Sequence, residues 1–186
     1  MFDKNINDSY IYFKPIITER LIIRELKLED CYDYFEFSKN GKVFTYMNSS
    51  ALVDINEARQ KILNAIKEYE LGLIFRLGIA LKESNKIIGF IGLSKYDLSI
   101  YSCQIIYAVG EDYWNKGYVS ESVSHFVNYL KSIGKTLIIA GHVEDNINSG
   151  KVLLKNGFKR DPRRDTQMII HGQLKNIINY SIDERN

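Results

Sequence analysis

Cysteine is scarce in this chain: Cys31 and Cys103 are the only two among 186 residues. That is too few for a disulfide framework or a cysteine-rich metal site. No CxxC pair, no HExxH and no GxxxxGK[ST] loop occurs, which argues against the zinc and nucleotide-hydrolysis chemistry those patterns carry. Proline is equally rare. Pro15 and Pro162 stand alone, neither in a linker-like run, so one continuous domain over residues 1–186 is expected. Charge of one sign is lacking too. Lys and Arg total 25 against 23 Asp and Glu, a net +2, which gives no electrostatic case for nucleic acid. The longest apolar stretch, Leu71 to Leu81, is broken by Arg76 and falls short of the ~20 residues a membrane span needs. Met1-Phe2-Asp3-Lys4-Asn5 lacks the apolar centre of a signal peptide. These absences predict a soluble cytoplasmic protein with no membrane or metal partner. The glycosylation triplets at Asn7, Asn48 and Asn179 are then chance matches.

What is present is ordinary globular material, 45% hydrophobic and 26% charged. Arg20-Leu21-Ile22-Ile23-Arg24 reads as a strand and Asp30 to Lys39 as a helix. Asp54 is placed to cap a helix in which Ile55, Ala58, Ile62, Ala65, Ile66 and Tyr69 recur at helical spacing. The period then changes. Leu73 to Lys82 and Lys86 to Ser94 form a hairpin around Glu83-Ser84-Asn85, and Tyr101 to Val109 is a third strand. Tyr118 to Ile133 is helical, with Val119, Val123, Phe126, Val127 and Leu130 on one side. Leu137-Ile138-Ile139-Ala140 is apolar at successive positions, the mark of a strand covered on both faces. Ser149 to Asn156 is a short helix that Gly157 is placed to end, and Gln167–His171 with Lys175–Ser181 forms a last hairpin around Gly172. The order predicts a mixed α/β sheet with one parallel crossover, from Tyr101–Val109 through a helix to Thr136–Val143.

Ligands of open α/β sheets bind beyond the carboxyl ends of parallel strands, which directs attention to Gly110–Ser120 and His142–Ser149. The first segment ends in Trp114-Asn115-Lys116-Gly117-Tyr118-Val119-Ser120-Glu121. A helix start presents unpaired N–H groups and partial positive charge. With a glycine for close approach and Lys116 as a mobile cation, this is a phosphate site, or else a plain glycine turn before a helix.

That octapeptide resembles the acetyl-CoA pyrophosphate loop of the GNAT acyltransferase superfamily, and most of all the RimJ/RimL-type branch, which reads W-G-K-G-Y-A-T-E. Four further segments agree in order. Thr18-Glu19-Arg20-Leu21-Ile22-Ile23-Arg24 is similar to T-E-R-L-x-L-R, and Ile88-Gly89-Phe90-Ile91-Gly92-Leu93 to I-G-x-I-G-L. Asn146-Ile147-Asn148-Ser149 with Val152 to Phe158 resembles N-x-x-S-x-x-V-L-x-K-x-G-F, and His171-Gly172-Gln173 with Tyr180-Ser181 resembles the closing hairpin. The resemblance covers about Thr18 to Ile182. It implies a central, mostly antiparallel sheet with flanking helices, whose parallel fourth and fifth strands splay apart. Acetyl-CoA would be the co-substrate. Its pantetheine arm would lie in the splay along Tyr107, Ala108 and Val109, and its pyrophosphate on the amides of Asn115 to Ser120, with Trp114 beside them. Two positions depart from the pattern: Val119 holds a usually small site, facing either the phosphate or the core, and Asn115 stands where this branch has glycine.

The implied reaction is direct acetyl transfer from the thioester to a primary amine, either a protein N-terminus or a small molecule such as an aminoglycoside. It needs a neutral amine, a stabilised oxyanion and a proton for the leaving thiolate. Ser149 is the residue implied at the acid end, or a helix cap, and Asn146 a coenzyme contact, or a turn residue. Gln104 replaces the family's strand glutamate and cannot accept a proton. His142, Glu144, Asp145 and Glu121 remain as possible bases, with Glu121 equally fit to stabilise the helix dipole. Lys151, Lys155, Lys159, Arg160, Arg163 and Arg164 form either a ribose-phosphate contact or a solvated basic face. Cys103 reads as an inert buried thiol. Gln104 also leaves open a coenzyme-binding module without turnover, and the loop alone leaves open another phosphate ligand. A monomer and a homodimer are both compatible with the sequence.

Overall fold

The computed structural model describes residues 13–96 and 101–185. The Asn7 triplet and the first five residues lie outside the described residues. The chain opens with β1 (Ile16–Ile17) and β2 (Leu21–Arg24), followed by helices α1 (Cys31–Ser38) and α2 (Ile55–Glu70). Three strands come next, β3 (Leu77–Leu81), β4 (Ile87–Tyr96) and β5 (Ser102–Val109). Helix α3 (Tyr118–Ser132) crosses to β6 (Leu137–Val143), and α4 (Ile147–Lys155) leads to β7 (Lys159–Arg160), β8 (Thr166–Ile170) and β9 (Gln173–Asp183).

The strands form one sheet in the order β1-β2-β3-β4-β5-β6-β9-β7, with β8 also paired to β9. Every pairing is antiparallel except β5 with β6. The expected mixed α/β sheet with a single parallel crossover is therefore the observed one. Local chemistry explains most boundaries. The Asp54 carboxylate accepts from the amides of Asn56 and Glu57 and starts α2. The third strand begins four residues later than its apolar run suggests, because the Leu73 amide is bonded back to the Glu68 carbonyl at the end of α2. The two-residue strands β1 and β7 are too short to show any period.

Helices cover both faces. Val123, Phe126, Val127 and Leu130 of α3 and Leu153 of α4 pack with Leu21, Ile23, Leu77, Ile79, Ile91, Ile105 and Ile138 on one face. Tyr34 and Phe37 of α1 and Ala58, Ile62 and Ala65 of α2 pack with Ala80, Ile87 and Phe90 on the other. The buried neighbours Ile87 and Ile88 serve opposite faces, as successive residues of a pleated strand do. Asn179 is buried, and its side-chain amide donates to the Arg164 carbonyl, so its triplet is no surface acceptor. No helix among the described residues is long and apolar enough to cross a membrane.

Candidate active site

The parallel pair comes apart. β5 and β6 are in register only at Ser102↔Leu137, Cys103↔Ile138 and Gln104↔Ile139. Beyond that, β5 stays on β4 as far as Gly89↔Val109, and β6 stays on β9 as far as Val143↔Ile177. Each strand is held by its outer neighbour, so a gap opens between them from residue 105 onward. The Gly110 amide bonds the Ile88 carbonyl at 2.8 Å. By the alternation of an antiparallel ladder, the backbone groups of Tyr107 and Val109 then face away from β4, into the gap. The Trp114 indole donates to the Val109 carbonyl at 2.9 Å. The Tyr107 amide and carbonyl and the Val109 amide are left as strand-edge groups facing the opening.

The mouth of α3 lies beside this edge. Asn115 and Gly117 are both left-handed, with φ of 58° and 82°. Among the described residues no side chain caps the helix, and helix geometry leaves the Tyr118, Val119 and Ser120 amides without intrahelical acceptors. Val119 packs against the main core, so its branched side chain turns away from the mouth. The Ser120 hydroxyl accepts from the Asn156 side-chain amide at 3.1 Å, tying α3 to the end of α4. The Lys116 ammonium sits 5.9 Å from the centre of the Tyr113 ring.

Glu121 does not face an open site. One of its oxygens accepts from the Thr18 hydroxyl at 2.6 Å and the Arg20 amide at 2.9 Å, and the other from Arg20 Nε at 2.8 Å. Partial burial alone would raise this carboxyl. The bonds from Thr18 and Arg20 outweigh it and hold the group below its ordinary range.

Across the gap, α4 starts two residues earlier than expected. Asn146 takes the cap position, its side-chain oxygen 3.4 Å from the Ser149 amide. Ser149 is thereby released from capping, and its hydroxyl lies 2.9 Å from the Tyr107 phenol. This bond joins β5 to α4 over the splayed end of the strands. Burial pushes the Tyr107 phenol up to about 12, against the lowering effect of its bond to Ser149. His142 is buried under α4. Its Nδ1 is 2.8 Å from the Val143 carbonyl, and its ring stacks on Tyr180 at 5.5 Å. Its Nε2 has no partner among the described residues and abuts Gly150, where a Cβ would stand only 2.6 Å away. Glu144 accepts from the Asn176 side chain, and Asp145 pairs with Lys175. Gln104 stands at the last registered pair of the fork. In the basic segment Asp161 binds Arg163 and Arg164, and Asp165 binds Arg160, while Lys151, Lys155 and Lys159 are exposed. Sequence reasoning did not select Thr18, Arg20 or Asn156 as site residues. Each sits in one of the family-like motifs, but its partner lies 36 to 103 positions away.

A sheet forked at one parallel pair, with a helix mouth beside the fork, is the arrangement that the resemblance to the GNAT superfamily implies, and comparison with known proteins agrees. Residues 20–159 match the family described as Acetyltransferase (GNAT) domain. The chain belongs to that family and is an acetyl-CoA-dependent N-acetyltransferase. It is similar to the "Uncharacterized N-acetyltransferase p20" of Bacillus licheniformis, 28% identical over 174 residues, covering 92% of this chain and 97% of that protein. It is 21% identical over 171 residues to the [Ribosomal protein uS5]-alanine N-acetyltransferase of Escherichia coli K12, covering 88% and 87% of the two chains. A solved RimL ribosomal L7/L12 alpha-N-protein acetyltransferase in complex with coenzyme A has the same fold. Its TM-score is 0.80 at 16% identity, covering 93% of this chain and all of that one (100%).

Proposed function

We propose that this protein acetylates the α-amine of a peptide or protein by direct attack in a ternary complex. The parting of β5 from β6 after Gln104 and Ile139 carries the proposal. In it the pantetheine arm of acetyl-CoA runs along Tyr107, Ala108 and Val109. The diphosphate rests on the amides of Asn115 to Ser120, with Trp114 and Lys116 at its flank and Asn146 near the thioester end. Acetyl-CoA is a substrate here and supplies an activated acyl group. The residues fit it: the fork offers strand-edge groups at the right side, and the helix mouth offers uncapped donors.

Transfer forms a C–N bond and breaks a C–S bond. The amine gives up a proton and the departing sulfur gains one. Ser149 is the donor to that sulfur in this proposal. Tyr107 is a neutral phenol at neutral pH, and its hydroxyl 2.9 Å from that of Ser149 holds the serine in place at the fork. Glu121 is a positioning group and His142 a packing group, since the first has its oxygens engaged and the second is covered by Gly150.

The acceptor class follows from the base. The carboxylates weighed as bases, Glu121, Glu144 and Asp145, are committed to Thr18 and Arg20, to Asn176 and to Lys175, and Gln104 cannot accept a proton. An acceptor that arrives neutral needs little help. An α-amine is roughly one-tenth neutral at pH 7, whereas a lysine amine is neutral in roughly one molecule in a few thousand.

Thiol release from acetyl-CoA tests this with two short peptides, one with a free N-terminus and one N-blocked with an internal lysine. The free α-amine should react at least about tenfold faster at pH 7.5. Equal rates, or a preference for lysine, would count against the α-amine assignment. Tight coenzyme binding with no thiol release from any amine would favour the binding module that Gln104 suggests.

A further inference from the structure

We infer that Thr18 and Arg20, acting through Glu121, are positioning residues that brace the diphosphate loop in its coenzyme-binding shape. This rests on the acetyl-CoA reading above. The contacts run from β2 and its approach to the loop and first turn of α3. Arg20 touches almost every part of that turn. Its guanidinium donates to Glu121 at 2.8 Å and to the Lys116 carbonyl at 3.0 Å. It also lies 4.6 Å from the centre of the Tyr118 ring. The position a Cβ of Gly117 would take is 3.3 Å from one of its nitrogens. Thr18 completes the set by donating to Glu121 at 2.6 Å while its oxygen accepts from the Leu21 amide at 2.8 Å.

A plain staple between a strand and a helix would need only the Glu121 contacts. The bond to the Lys116 carbonyl does something more. In a trans peptide the C=O and the following N–H point in opposite directions. Drawing the Lys116 oxygen toward Arg20 therefore turns the Gly117 amide away from Arg20. The loop also carries two left-handed residues within three, Asn115 and Gly117. Such a backbone persists only where its surroundings over-determine it. The positive charge of Arg20 is already matched by Glu121 at 2.7 Å, so its part is geometric rather than that of a free cation for phosphate.

Calorimetric titration with coenzyme A, alongside thermal unfolding of the free proteins, decides the matter. Arg20→Ala and Glu121→Gln should each raise Kd for coenzyme A about tenfold, the loss of one charge-assisted contact. Because the two residues act as one unit, the double variant should bind no worse than the weaker single. Arg20→Lys keeps the charge but cannot reach Glu121 and the Lys116 carbonyl together, and should bind as poorly as Arg20→Ala. Thr18→Ser keeps the hydroxyl and should bind within about twofold of the unaltered protein, whereas Thr18→Val should not. A purely structural staple would lower the unfolding midpoint and leave Kd of the folded protein unchanged, and that result overturns the brace. So does full affinity in Arg20→Lys. If Arg20→Ala fails to fold, the Kd of Thr18→Val decides between brace and staple in its place. No binding by the unaltered protein would instead remove the acetyl-CoA reading itself, so the two failures are separable.

Discussion

The Ser149 hydroxyl meets Tyr107 and is not the cap of its helix, because Asn146 does the capping. A hydroxyl at the third position of a helix would otherwise be spent near the orphan amides, but here it faces Tyr107 at 2.9 Å. Ser149→Ala should lower turnover about a hundredfold while leaving Kd for coenzyme A within about twofold. Steady-state kinetics and calorimetry on the same preparation check this. Unaltered turnover would return Ser149 to a packing role. The residue types at this end of the site were legible in the sequence through the N-x-x-S pattern. The partner was not, since Tyr107 and Ser149 are 42 positions apart and no spacing rule joins them. The same limit applies to Glu121. Its type suggested either a first-turn acid or an acceptor group, and only the fold brought Thr18 and Arg20 onto its oxygens.

Among the elements, amphipathic α2 and α3 were readable almost to their ends, because a 3.6-residue period over four turns is a strong signal and Asp54 marks a start. The β3 strand and the first turn of α4 were misjudged by two to four residues, where a backbone bond to α2 and the Asn146 cap overrode the apolar pattern. The fork between β5 and β6 depends on close contact between β5 and β4. A Cβ at Gly89 would stand 2.2 Å from the Ala108 carbonyl oxygen and 2.7 Å from the Val109 Cα. Gly89→Ala should therefore push the two strands apart, costing about 1–3 kcal/mol of stability as an overpacking change, and weaken coenzyme A binding by displacing the Tyr107–Val109 edge. Urea denaturation and calorimetry read the two effects. A variant matching the unaltered protein in both would show that this edge does not depend on the β4 contact.

At the scale of the whole molecule, the two packed faces bury groups that keep their protons to higher pH when folded than when unfolded. Burial raises Cys103 from 9.0 to about 11, against the weaker lowering effect of Lys135, and raises Tyr107 from 10.0 to about 12. Tyr69 and Tyr34 are raised as well, chiefly by burial. Above pH 9 the unfolded chain sheds these protons first. It binds fewer protons than the folded form, so stability falls as pH rises. The urea midpoint should drop steadily between pH 9 and pH 11, with Cys103 alone accounting for about 2–3 kcal/mol across its full titration. Cys103→Ala should flatten that slope. A midpoint independent of pH across this range would mean that these groups are open to solvent.

Composition and period were enough to establish a mixed α/β layer with one parallel crossover, because both are properties of neighbouring residues. The motifs were enough to suggest the family, because each is a run of neighbouring residues and their order is read along the chain. How far the central strands stay paired and where Arg20 and Tyr107 reach were decided by the tertiary structure, and the side-chain bonds of those two residues span 42 or more positions. Side chains that distant meet only once the sheet has formed and the helices have been laid on its faces.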